Sequence, residues 1–153
     1  MSFRAMAIKV SEFVKAVPNA ARPQLPRNLQ GFHVFLMPWL SQVYYDDKRL
    51  HYEVLKLPSR FGHNRLEIGL HFESKDKTLN NLLLAGFDSH LFEIRAALGD
   101  DWWAEPWDRG WTKVYTTRRY DEMDQLLVEQ TATHLAQVIS VLEPIYRLVS
   151  KRG

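Results

Sequence analysis

The chain has 153 residues, 46% of them hydrophobic and 25% charged, with no cysteine and a formal net charge of +2. These are the proportions of one ordinary globular domain spanning 1–153, and without cysteine there is no thiolate nucleophile, thiolate zinc site, iron–sulfur cluster or redox pair. No apolar run approaches the ~20 residues of a membrane span and no secretory signal opens the chain, so the expectation is a soluble, cytoplasmic protein with no membrane partner.

Phe3, Met6, Ala7, Val10, Phe13, Val14 and Val17 recur at three- and four-residue steps, which predicts a first helix over about 2–17, stopped by Pro18. Pro18, Pro23, Pro26 and Gly31 then predict an extended, proline-rich loop over 18–31. Phe32 to Met37 reads as a buried strand, and Pro38 to Tyr45 fits a helical turn with proline at its first position.

From His51 to Leu57 and from Arg65 to Glu73 the residues alternate, with turn chemistry at Pro58, Ser59, Gly62, His63 and Asn64 between them. The two form a hairpin. Leu66, Ile68, Leu70 and Phe72 point to one face, and Glu67, Gly69, His71 and Glu73 to the other.

A second long helix follows, capped by Asp76 or Thr78, with a stripe from Leu79 through Leu83, Phe87, Leu91 and Ile94 to Leu98 and a stop at Gly99. Trp103 to Trp107 and Trp111 to Thr117 read as two strands around an Asp108-Arg109-Gly110 turn, the first held to a sheet edge by Pro106. Asp121 is placed as the cap of a long final helix that contains Pro144. The fold class is therefore α+β: helix, strands, helix, strands, helix, with a mixed or antiparallel sheet of four or five strands against two long helices.

The polar face of the hairpin carries the most chemistry. With a turn centred on Gly62, Glu53 falls opposite His71 and His51 opposite Glu73, all four on one side of the sheet. Two imidazoles and two carboxylates can bind a divalent metal such as zinc or manganese, or serve as general acid and base. They can equally be cross-strand ion pairs on a solvated face. A two-residue slip changes the partners but keeps the face. The lone histidines His33 and His134 sit in apolar patterns and read as core groups, not ligands.

Glu73-Ser74-Lys75 closes the hairpin's second strand, and Glu53 stands in the first. In that setting the chain resembles the restriction-endonuclease-like nucleases. The resemblance implies Glu53 and Glu73 as metal-binding acids and Lys75 as the lysine beside the attacking water. The order of elements also resembles the type III secretion chaperones, which implies a homodimer that binds extended protein segments. Trp102, Trp103, Trp107 and Trp111 would then form an interface or line a small-ligand pocket. The words Tyr52-Glu53-Val54 and Leu66 to Glu73 are similar to an uncharacterised bacterial family, which implies no activity.

The leading expectation is a non-enzymatic, cofactor-free interaction domain that is homodimeric through its first or last helix, whose apolar stripes exceed what one small sheet covers. The alternative is a metal-dependent hydrolase, nucleolytic in the first resemblance. The nearly balanced charge, 20 basic against 18 acidic residues, argues against nucleic acid as a partner.

Overall fold

The computed structural model describes residues 6–151. Its elements are α1 (Val10–Ala21), β1 (His33–Met37), β2 (Leu40–Tyr44), β3 (Leu50–Lys56), β4 (Arg65–Phe72), α2 (Lys77–Ser89), α3 (Leu91–Leu98), β5 (Trp103–Asp108), β6 (Trp111–Arg119) and α4 (Gln125–Ser150). The fold is α+β, and its sheet is wholly antiparallel. It has six strands in the order β1-β2-β3-β4-β6-β5, one or two more than the composition of the pattern suggests.

The extra strand comes from 38–45. Leu40-Ser41-Gln42-Val43-Tyr44 alternates and pairs with both β1 and β3, so Pro38 and Trp39 form a two-residue turn and not the start of a helix. The second helix divides into α2 and α3. His90 leaves the helical region at φ −104° and ψ 7°, while the Ser89 hydroxyl donates to the Gly86 carbonyl, a local bond that competes with helix continuation. The Asp76 carboxylate accepts from the amides of Thr78 and Leu79, so that cap is as expected.

The first helix is displaced toward the C-terminus. Residues 2–5 of the expected span lie outside the described residues, and Ile8 donates its amide to the Met123 carbonyl at 2.9 Å, which holds the chain out of helix until Val10. Pro18 does not end it. The proline is buried between Val17 and Ala21, and the Arg22 amide still reaches the Pro18 carbonyl, so packing outweighs one missing hydrogen bond. The segment 18–31 is thus not an extended loop: it finishes α1 and then makes two short 3₁₀ turns, Arg22–Gln24 and Arg27–Leu29. The final helix is capped by Asp124, whose side chain accepts from the Leu127 amide, in place of Asp121.

All four helices lie on one face of the sheet. Leu66, Ile68, Leu70 and Phe72 of β4 and Val43, Tyr52, Val54 and Val114 of its neighbours meet Phe13, Val17, Leu83, Phe87, Leu135, Ile139 and Leu142 in one core. Helix α4 packs against α1, α2, α3 and β4. Of the stripes behind the homodimer expectation, Phe13, Val14 and Val17 of α1 and Thr131, His134, Val138, Leu142, Ile145 and Val149 of α4 are buried within the chain, while Met6 and Ala7 are exposed. Trp102 is wholly buried in this core.

His134 of α4 is buried beside Leu66 and Ile68, and neither ring nitrogen has a hydrogen-bond partner. His33, by contrast, is exposed on β1. Burial pushes the His134 imidazole down to about 4, Arg118 adding to the shift and Asp101 opposing it. The unfolded chain binds this proton at its ordinary value of 6.5, so stability is complete above 6.5 and is lost as pH falls toward 4. We predict that His134→Leu reduces this loss, measured as the difference in denaturant midpoint between pH 7.5 and pH 5.

Candidate metal centre on the open face of the sheet

The face away from the helices is also buried in its middle. Strands β3 and β4 set His51 directly opposite His71, with Glu53 opposite Gly69. This is a two-residue slip from the expected pairing of Glu53 with His71 and His51 with Glu73. A 3₁₀ turn at Ser59–Phe61 occupies the loop, and the pairing centres on Phe61 instead of Gly62. An even slip preserves the face, and the four side chains still converge.

His51, Glu53, Glu67 and His71 are all buried, and Glu73, just beyond the end of β4, is half-buried. The two imidazole rings stack with centroids 5.6 Å apart. His71 donates from Nε2 to Glu67 Oε2 at 2.9 Å and from Nδ1 to Glu73 Oε2 at 3.0 Å, with Glu53 Oε2 at 3.8 Å. Two carboxylate partners on two nitrogens make this ring an imidazolium. Burial alone would lower its pKa, but Glu53, Glu67 and Glu73 together raise it to about 10. Burial likewise pushes Glu53 up, and the charge of His71 with the bonds from His51 and Gln42 overcomes this and holds it at about 2. Glu67 is lowered for the same reasons, by His71 and by Lys113.

The contact between Glu67 and His71 depends on the residue between them. Four residues of strand separate the two Cα atoms by roughly 13 Å, yet the side chains touch because Gly69, which shares their face, has none. A Cβ at Gly69 would lie 2.3 Å from the Val114 carbonyl oxygen, so β4 and β6 also approach too closely here for any other residue.

Lys113, opposite His71 on β6, donates to Glu67 Oε1 at 2.7 Å, and Gln42 on β2 donates to Glu53 Oε1 at 3.1 Å. His51 Nδ1 lies 2.8 Å from the Lys48 carbonyl, which only accepts, so that nitrogen carries the proton and Nε2 faces Glu53 at 3.3 Å and Glu73 at 3.8 Å. With a proton Nε2 donates to Glu53, and without one it offers a lone pair.

One ligand atom from each of His51, Glu53, His71 and Glu73 lies within 4.8 Å of the other three. An ion with bonds of about 2.0 to 2.2 Å keeps neighbouring ligand atoms roughly 3 to 3.5 Å apart and opposite ones at about 4.3 Å, so small side-chain movements complete the set. Glu53 and His71 line the floor of a cleft of about 1140 Å³, with Trp107, Tyr115, Trp39 and Phe61 on its walls.

Lys75 stands in solvent in the turn before α2 and does not line the cleft; the lysine that reaches the carboxylates is Lys113. The four tryptophans do not make one surface. Trp102 is in the core on the helix side, Trp103 is exposed with the Arg95 guanidinium 5.0 Å from its ring, and Trp107 packs edge-on to His71 at 5.8 Å with Trp111 beside it. Glu67, Gln42 and Lys113 are the members that the sequence pattern did not single out, although Glu67-x-Gly69-x-His71 is a readable signal for two polar residues reaching across a gap.

No family model, curated protein or solved structure matches the chain.

Removing the cation leaves Glu53 without its buried imidazolium and Glu67 with Lys113 alone. His71→Leu is expected to destabilise the protein by about 3 to 5 kcal/mol. Adding Glu53→Gln to it recovers part of that loss, because the buried carboxylate that has no lysine partner loses its charge; a double-mutant cycle by chemical denaturation measures both.

Proposed function

We propose that the chain is a metal-dependent hydrolase whose divalent ion is held by His51, Glu53, His71 and Glu73 at the floor of the cleft. The observation that carries this reading is the convergence of four ligating atoms with an orienting partner behind each imidazole. Metal-binding histidines characteristically donate their second ring N–H to a carboxylate or a backbone carbonyl. Here His51 gives Nδ1–H to Lys48, and His71 gives Nε2–H to Glu67, itself tied to Lys113. His71 then ligates through Nδ1, on the side of Glu73.

Two imidazoles with two carboxylates favour zinc, manganese, iron or a similar transition ion over magnesium, which prefers an all-oxygen shell. An ion held there would take the place of the proton on His71 Nδ1, so the buried carboxylates would keep a cation among them. Glu53 and His71 border the cleft, so water and a substrate reach the ion. A bound ion supplies a Lewis acid and a water that ionises near neutrality. A hydrolysable substrate in the cleft would be attacked by that water, with the leaving group taking up the water's proton. The reading makes no use of Lys75.

Calorimetric titration with zinc and with manganese is expected to give one equivalent bound. Glu73→Gln or His51→Ala abolishes the isotherm, and Glu67→Gln, behind His71, weakens it by about 10- to 100-fold. A wild-type protein that binds neither ion, or variants that bind as it does, overturns the reading.

A further inference from the structure

We infer that the cleft takes a nucleotide unit, a flat base joined to a phosphate, with the base on the aromatic wall and the phosphate reaching the floor; the placement of the phosphate rests on the metal reading above. The two ends of the cleft differ. At the floor every charge has a partner: Lys113 is held by Glu67, and His71 by three carboxylates. At the other end, Trp39 in the β1–β2 turn and Phe61 in the β3–β4 loop are about half exposed, at 47% and 55%. Large rings left open along a concave wall mark a binding surface.

Cations accompany these rings. Arg60 holds its guanidinium 4.8 Å from the Phe61 ring centre, and Arg65 donates to the Thr117 hydroxyl at 2.6 Å. Among the described residues the ion pairs made by lysine or arginine involve only Arg109, Lys113 and Arg147, so Arg60 and Arg65 face the cleft with no carboxylate partner. Positive side chains interleaved with exposed rings are the chemistry that binds unstacked bases and their phosphates. Neither a purely apolar ligand nor a bare anion uses both features. Trp107, beside His71, offers a further ring next to the floor. A volume of about 1140 Å³ exceeds the usual small-molecule range of roughly 300 to 1000 Å³, which suits a nucleotide together with a neighbour.

The nucleotide can arrive free or as part of a single strand, and two probes separate these sources. Adenosine 5′-monophosphate and a 12-nucleotide oligothymidylate are titrated calorimetrically into the full chain in EDTA, with ribose 5-phosphate and adenosine as controls lacking the base or the anion. The expectation is saturable binding of at least one probe, at least tenfold tighter than either control. Trp39→Ala and Arg60→Ala, both at exposed positions, each weaken it by about tenfold, and Arg60→Ala lowers the salt dependence. Preference for the monophosphate assigns a free nucleotide, and preference for the oligomer assigns a single strand.

Binding of neither probe, or binding indifferent to both substitutions, overturns the inference. The metal titration repeated on Trp39→Ala keeps the two readings apart. An intact metal isotherm without nucleotide binding overturns this inference alone. Nucleotide binding by a protein that takes up no metal supports the base site on the aromatic wall and overturns both the hydrolase reading and the placement of the phosphate at the floor.

Discussion

The imidazolium of His71 is the one interior cation that three carboxylates share, and the open face of the sheet is built around that balance. Burying a carboxylate without a partner is so unfavourable that the group would take up a proton or the strand would open. Glu53 and Glu67 do neither, because His71 lies between them and Lys113 and Gln42 satisfy the remaining oxygens. The register of β3 on β4 and of β4 on β6 follows from this. A two-residue slip would keep the apolar face intact but would separate His71 from Glu67's other partner, Lys113.

Gly69 sets the geometry of that balance. A Cβ here would strike the Val114 carbonyl oxygen of β6, and the missing side chain lets Glu67 reach His71 along the same strand. Glycine inside a strand ordinarily weakens it. Here the local weakness is what admits a hydrogen-bonded pair at i and i+4, a spacing that strand geometry otherwise keeps apart. On the helix side, β4 presents Leu66, Ile68, Leu70 and Phe72 without interruption, so apolar packing offsets the loss.

The α+β class, the β3–β4 hairpin, the edge position of the Pro106 strand and the shared face of His51, Glu53, His71 and Glu73 were legible in the residues, because a period of two and the turn chemistry of Asn, Gly and Pro are local signals. The exact partner across the hairpin was not, since the eight residues between Lys56 and Arg65 allow more than one even register and only tertiary contacts choose. Pro18 and the segment 38–45 misled for a related reason. A proline is locally a stop, but burial of Pro18 in the core and pairing of β2 between two strands are non-local and override it. Lys113 and Gln42 come from distant strands, and nothing in the hairpin itself announces them. Glu-x-Lys drew attention to Lys75, which a turn carries into solvent.

Folding alone gives no reason for so much buried charge. Replacing a buried ion pair by apolar side chains of similar volume is often neutral or stabilising, and β2, β3, β4 and β6 already carry a complete apolar core on their other face. A sheet that needed only stability would place valine or leucine where Glu53, Glu67 and His71 stand, and would then cover that side with a helix. The chain instead leaves this side open to a cleft, lines the wall with Trp39, Phe61 and Trp107, and keeps two imidazoles oriented by acceptors behind them. Rings of exposed tryptophan and buried carboxylates each carry an energetic penalty, and they occur on the same face within one cavity. A cation that replaces a proton among those carboxylates, together with a ligand that covers those rings, relieves both penalties at once, and the hydrolase reading and the nucleotide inference therefore draw on one physical cause.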